Sequence, residues 1–397
     1  MSTTDAAREA RLAGLAPAGP DEMGRELAEG PAAVEATLAC VERLAPQLAA
    51  ARAAARRTVL LGTGASLAMA RTAEPILRAA SAGGAGGPVV VRESSQAVLG
   101  APDGDVFAAT DLVIAISQSG GSPETVAAAR DARAAGACLL AVTAGATSAL
   151  ASAADVVVYT PSGPEEGAAT KSELAALAAL LAIAGALPCD PAARVRVRAT
   201  LEAIVGDPGG AIPAGLALGR ANRAWAVGFG TALGLALAMA TLLHEKALLA
   251  AIASTPSEFR HGPIEVATPD DVVLLIETDR PDPRRTGYLQ RLVGELARIG
   301  TPLVVAGALS GPAGTIGLPT GEEGAAATPG PALLATLLRL QQAARVAAHA
   351  RGTYRDGFRI LREVVQAAEE LAADEPRPAA PRGAPVASVH APRDTRA

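Results

Sequence analysis

Aromatic side chains are scarce, at 2% of 397 residues, and alanine fills most of the 50% apolar fraction. That bias carries no functional signal. Excess positive charge is absent as well: the net charge is −5, acids and bases are interspersed, and no basic stripe occurs. The phosphate attraction that nucleic-acid binding needs therefore has no source, and nucleic acid is excluded as a partner. Cysteine is rare and never in CxxC spacing. Cys40, Cys138 and Cys189 sit singly among Ala and Leu, which reads as buried reduced thiols and not as disulfides or metal ligands. The start, MSTTDAAREARLAG, lacks the apolar run of a secretory signal. Of the long apolar stretches, AALAALLAIAGAL is too short to span a bilayer, and the one from Ala226 to Leu243 is broken by glycines and runs into His244-Glu245-Lys246. Both read as buried helices. The expectation is a soluble, cytoplasmic protein with no membrane, metal or cofactor.

What is present is alternation. Strand-like runs occur at 58–62 (TVLLG), 89–91 (VVV), 112–116 (LVIAI), 139–143 (LLAVT) and 156–159 (VVVY), with helical stretches at 66–80, 122–135 and 170–184. Strands alternating with helices predict parallel α/β layers. The plan then repeats. VLLGTGASLA from Val59 resembles WAVGFGTALGLA from Trp225, and DLVIAIS from Asp111 matches DVVLLIE from Asp271, at offsets of 166 and 160. A duplicated α/β unit is expected, with Cys189 to Asn222 as a helical connector and PLVVAG near 302 as a later strand. Proline, alanine and charge dominate the stretch from Asp374, which contains His390 and reads as a disordered tail.

Two loops carry hydrogen-bonding groups where strands end. In SQSGGSPET, from Ser117, Ser122-Pro123-Glu124 is a helix start, with serine as N-cap. That leaves Ser117, Gln118 and Ser119 beside two glycines, at the carboxyl end of a strand facing a helix N-terminus, where such groups converge on an anion. Gly62-Thr63-Gly64-Ala65-Ser66 offers similar equipment, so Thr63 and Ser66 could reach the same crevice. A dinucleotide fingerprint is the rival reading, but its third glycine position is Leu67 and the next strand, VVVR, ends in Arg92 without an acid. No Walker lysine follows the glycines. A third loop, EEGAATKSE from Glu165, leads into the apolar helix. There Thr170 either caps that helix beside a solvated Lys171 or lines a substrate.

Glu245 is the only acid on the stretch from Thr231 to Ala250, expected as one helix. Burial raises a carboxylate's pKa, so an acid there is paired, as with Lys246, or poised as a base. Adjacent helical residues point about 100° apart, which weakens the pairing account. His261 lies in the loop SEFRHGPIE, while His244 and His349 read as packing or solvated residues.

Together these loops resemble the double sugar-isomerase (SIS) family, especially the isomerase half of glucosamine-6-phosphate synthase and its stand-alone deaminase and ketose/aldose isomerase relatives. The resemblance covers about residues 20 to 365. It rests on GAS at 64–66, SQSGGSPET at 117–125, AATK at 168–171, and Glu245 followed sixteen residues later by His261 in HGP. It implies two tandem flavodoxin-like SIS domains, each a mainly parallel sheet sandwiched by helices. Their expected bounds are 21–190 and, with the connector helices, 191–370, between tails at 1–20 and 371–397. The family's phosphate grip falls on Ser66, Ser117, Gln118, Ser119 and Ser122, and its substrate-lining positions on Thr63, Gly64, Gly167, Ala169 and Thr170. The proton-transfer carboxylate falls on Glu245 and the ring-opening histidine on His261, which in the family crosses from the other subunit of a homodimer.

The resemblance implies an aldose–ketose isomerase or isomerising deaminase acting on a hexose or amino-hexose 6-phosphate. One carboxylate can move a proton between C1 and C2 through an enediol. Two family lysines are missing: the position three before Glu245 is Leu242, and DGFRILREVVQ offers Arg359, Arg362 and Glu363 instead. Arginine cannot form an imine. Amination through a covalent fructose adduct is thereby disfavoured, and two alternatives stand beside the isomerase: a non-catalytic sugar-phosphate sensor, and an isomerising aminotransferase subunit lacking its glutaminase domain.

Overall fold

The computed structural model describes residues 21–82, 86–100, 106–278, 282–307, 309, 311–319 and 329–360. The two expected tails, 1–20 and 371–397 with His390, lie outside the described residues, as do Arg362 and Glu363. The chain begins with α1 (Glu22–Ala54), capped by Asp21, whose Oδ1 accepts the Gly24 amide at 2.7 Å. There follow β1 (Arg57–Gly62), α2 (Ala65–Ala80), β2 (Val89–Glu93), α3 (Ser94–Val98), β3 (Asp111–Ile116), α4 (Pro123–Ala134), β4 (Cys138–Thr143), α5 (Ala149–Ala153), β5 (Val156–Tyr159) and α6 (Lys171–Ile183). Helices α7 (Pro191–Gly206) and α8 (Ile212–Arg220) form the connector. The second half runs β6 (Arg223–Gly228), α9 (Thr231–Glu245), β7 (Ala250–Ser254), α10 (Pro256–Arg260), β8 (Val272–Ile276), α11 (Pro283–Ile299), β9 (Leu303–Ala306), β10 (Ile316–Leu318) and α12 (Gly330–Arg351).

Two five-stranded sheets result, in the orders β2-β1-β3-β4-β5 and β10-β9-β8-β6-β7, and every strand pair is parallel. Read from its other edge, the second order repeats the first. Helices cover both faces, so the central strands have no wet side: all six residues of β3 and all five of β8 are buried. The order reverses between β1 and β3, which opens a crevice at their carboxyl ends.

The duplication extends to side chains. Arg57 at the start of β1 grips Asp111 of β3, with Nε 3.0 Å from Oδ1, and donates to the Val106 carbonyl at 3.1 Å. Arg223 of β6 grips Asp271 before β8 at 3.1 Å and donates to the Val266 carbonyl at 2.7 Å. The turn glycines match too: Gly64 has φ 56°, ψ −126° and Gly230 has φ 56°, ψ −121°.

The halves meet through helices. A β-carbon on Gly234 of α9 would lie 2.2 Å from Thr72 Oγ1 and 2.6 Å from the Ala68 carbonyl oxygen of α2. The two helices therefore cross backbone to backbone, and only glycine permits it. Helix α6, apolar on nearly every face, packs against α1, α2 and α12, which explains why it has no polar side.

Several expectations are corrected. The helix from Thr231 ends at Glu245; Ala250–Ser254 is instead the edge strand β7. Strand β2 continues past Arg92 to Glu93, so an acid does end it. Its carboxylate accepts from Thr63 Oγ1 at 2.8 Å and from the Gln96 amide at 2.9 Å, capping α3. The absence of the third glycine at Leu67 still counts against a dinucleotide site. Cys40 is buried, but Cys138 and Cys189 are half-buried; all three are free thiols, and burial pushes Cys189 up to about 11. No helix among the described residues is long and apolar enough to cross a membrane.

Candidate active site

The serine loop leaves β3 at Ser117, whose amide donates to the Val142 carbonyl of β4 at 3.1 Å. Ser117 is buried, and its hydroxyl lies 3.0 Å from that of Ser122. Ser122 occupies the N-cap position of α4, yet its side chain makes no cap bond; the expected capping role gives way to the pair with Ser117. Ser119 is exposed and accepts the Gly121 amide at 3.2 Å. The loop is fastened from below, where the Ala144 amide and Thr143 hydroxyl both donate to the Gln118 carbonyl, at 2.9 and 3.2 Å. Across the crevice, Gly64 precedes α2 and Ser66 lies in its first turn, half-buried. The side chains of Ser66 and Gln118 bond to no described residue. Thr63 is exposed and turned to Glu93. The neighbouring β1 and β3 thus bring both loops to one sheet edge.

The equivalent crevice of the second half has lost this chemistry. By the offsets of the duplication, Phe229 stands for Thr63, Ala232 for Ser66 and Glu277 for Ser117. The lining there holds Glu277 and Arg285, where the first crevice has its serine hydroxyls.

Glu245 closes α9, half-buried, with its helix's last carbonyls beside it. Those carbonyls and the loss of water both disfavour a negative charge. Burial is the larger cause and pushes the carboxyl up to about 7; Lys246 lowers it and Glu165 raises it. Lys246 does not pair with Glu245. It is buried and bonds Glu22 Oε1 at 3.0 Å.

A network of acids that the sequence reading missed surrounds the third loop. Glu165 accepts the amides of Thr170 and Ser172 at 3.0 and 3.1 Å, the Thr170 hydroxyl at 3.1 Å and the Ser172 hydroxyl. Glu26 of α1 accepts the Glu166 amide and the Thr170 hydroxyl, each at 2.9 Å. Its burial, with the charges of Glu165 and Glu22, pushes it up to about 7. Glu173, fully buried in α6, is pushed up to about 8 by desolvation, against a hydrogen bond from Gln341 Nε2 at 3.1 Å, with Glu165 and Glu245 raising it further. Thr170 is buried and holds this network; it makes no cap bond. Lys171 is not solvated: 3% exposed, it pairs with Glu29. Gly167 and Ala169 sit in the same loop, both half-buried. The signal for these acids was available, since Glu22 and Glu26 recur one turn apart among Met23 and Leu27, and Glu173 interrupts an apolar helix as Glu245 does. No group of three or more His, Cys, Asp or Glu among the described residues could hold a metal ion.

His261 stands exposed after α10. That short helix is anchored by Phe259 edge-on to Trp225 at 5.6 Å and by Arg260 on Glu295 at 2.6 and 2.8 Å. No hydrogen bond joins it to Glu245 among the described residues. His244 is exposed and not packed inside, its Nε2 2.7 Å from the Ala251 carbonyl of β7. His349 stacks on Tyr354 and bonds Asp21 at 3.0 Å.

Residues 53–186 match the SIS domain family. The chain has a double SIS fold. It is 33% identical over 277 residues to an isomerizing glutamine–fructose-6-phosphate aminotransferase of Pyrobaculum aerophilum, covering 66% of this chain and 44% of the relative. It thus spans less than half the length of the curated relative it matches. Among solved structures it is similar to the C-terminal domain of glucosamine-fructose-6-phosphate aminotransferase from Francisella tularensis, with TM-score 0.68, 20% identity and coverage of 85% of this chain and 98% of that one. Tagatose-6-phosphate ketose/aldose isomerase from Escherichia coli is similar with TM-score 0.69, 21% identity and coverage of 83% and 92%.

Proposed function

We propose that this double-SIS chain is an aldose–ketose isomerase or isomerising deaminase of a hexose or amino-hexose 6-phosphate, working as a homodimer. The observation that carries the reading is Glu245: a carboxyl pushed up to about 7 at the end of a buried helix, where a base for proton transfer works best near neutral pH. Ser66, Ser117, Gln118, Ser119 and Ser122 take the phosphate, with the N-terminus of α4 adding its free amides. Glu245 removes the C2 proton of the open-chain sugar and returns it to C1. The electron pair of the broken C2–H bond becomes the C1=C2 double bond of the enediol as the C1 carbonyl pair moves onto O1, which takes a proton; that pair then takes the proton at C1 while O2 gives up its own proton and becomes the C2 carbonyl. Holding the remote phosphate keeps both carbons beside this one base. His261, exposed, is offered to a second copy's site, where it would shuttle the ring-opening proton.

Supporting this class, one similar solved structure is a tagatose-6-phosphate ketose/aldose isomerase and another the C-terminal domain of an aminotransferase. The test is deuterium exchange at C2 across a panel of hexose and amino-hexose 6-phosphates. Exchange that depends on Glu245, lost in Glu245→Gln while binding persists, is expected. Undiminished exchange in that variant removes Glu245 from the mechanism, and binding without exchange in the wild type leaves a sensor.

A further inference from the structure

One buried ammonium joins the segments around Glu245. Lys246, next to Glu245, is 1% exposed, and its Nζ donates to Glu22 Oε1 at 3.0 Å, to the Gly357 carbonyl at 3.2 Å and to the Arg355 carbonyl at 3.3 Å. The Tyr354 ring lies 5.7 Å from it. Glu22 is 3% exposed, and its other oxygen accepts the Gly357 amide at 2.6 Å. The pair also touches the third loop. A β-carbon on Gly167, which has φ +85°, would lie 2.7 Å from Glu22 Oε1 and 2.9 Å from Lys246 Nζ, so the loop rests its bare backbone on the ion pair. Four separate stretches therefore converge: the end of α9, the start of α1, the Gly167 loop and residues 355–357.

We propose that Lys246, pinned by Glu22, is the positioning residue of the site, holding Glu245 and the Gly167 loop in fixed relation through one shared ammonium. This rests on the reading of Glu245 as the base. Leu242, three residues earlier, is buried and supplies no charge, so Lys246 is the cation beside the carboxylate. The groups facing Glu245 are otherwise acids, Glu165 from the loop and Glu173 from α6, with Glu26 and Glu22 of α1 behind them. Removing Lys246 leaves that negative field unopposed.

The test compares wild type, Lys246→Arg and the double variant Lys246→Gln/Glu22→Gln, which removes both charges together and so strands neither. Glu245 is titrated by carbon-13 NMR in the ligand-free protein, with Glu245→Gln for assignment. Hydrogen exchange is followed at residues 165–170, and kcat and KM for C2 exchange are measured across pH. In the double variant the Glu245 midpoint is expected to rise by about one unit, the acid limb of kcat to move with it, and the loop amides to exchange faster. KM should change less than kcat, because the phosphate is held by other loops, and Lys246→Arg should keep the wild-type midpoint. A Glu245 midpoint and loop exchange unchanged in the double variant overturn the proposal, as does a loss of kcat that follows melting temperature without a displaced limb. Should the wild type catalyse no exchange, the isomerase reading falls, while the ligand-free titration and loop exchange still decide the role of Lys246.

Discussion

Glu173→Gln isolates what the buried acids cost the fold. Glu173 is wholly enclosed, and its carboxyl moves from an ordinary 4.5 to about 8. A raised folded-state value means the folded protein binds the proton more tightly than the unfolded chain. The associated stability is complete below the unfolded value, near pH 4.5, and is lost as pH climbs through about 8. At 1.36 kcal/mol per unit, the full difference is a ceiling of about 5 kcal/mol, which water penetration and relaxation would cut to roughly 2–3 kcal/mol. Glutamine keeps the shape and can accept the same hydrogen bond from Gln341 Nε2, but it never ionises. The stability of the variant relative to wild type should therefore climb between about pH 5 and pH 9. Urea unfolding at unit pH steps in that window reads the difference. A gap that stays constant across the window would refute the claim that Glu173 is buried protonated.

Gly234→Val forces α2 and α9 apart at Thr72 and Ala68, and should cost about 3 kcal/mol or more in urea unfolding; a neutral change would contradict the crossing. For the wild type, kcat should fall as pH drops through about 7, because Glu245 must be ionised to accept a proton; a limb near pH 4 would show an ordinary exposed acid. Ser119→Ala, at an exposed position, should leave melting temperature unchanged and weaken a sugar phosphate by about tenfold, the worth of one hydrogen bond to a charged group at the lower end of its range. Equal affinity in that variant would place the phosphate elsewhere.

The strands that became the sheet centres were legible because their long apolar runs are buried on both faces, and the repeat of Gly62–Gly64 at Gly228–Gly230 located the second half. Strand β7 was not. Its residues, AAIAS, continue the apolar composition of α9, and a short apolar run does not distinguish a helix from a strand. Helix α1 was hidden by Pro31 and Pro46, which interrupt a helical pattern although the structure carries the helix through both. The serine loop was readable from hydroxyls clustered where β3 ends. The environment of Glu245 was not, since Glu22 and Glu26, Glu165 and Glu173, and Lys246 come from three distant stretches that only the packing of α1, α6 and α9 unites.

The claim that a sugar phosphate is held by the hydroxyl-rich loops of the first half is tested most directly by titration calorimetry of hexose and amino-hexose 6-phosphates, followed by crystals soaked with whichever binds. The account predicts saturable heat with at least one of them and a phosphate enclosed by Ser66, Ser117, Gln118, Ser119 and Ser122. No heat for any member of the panel, or a phosphate seated at Phe229, Ala232 and Glu277 instead, would contradict it.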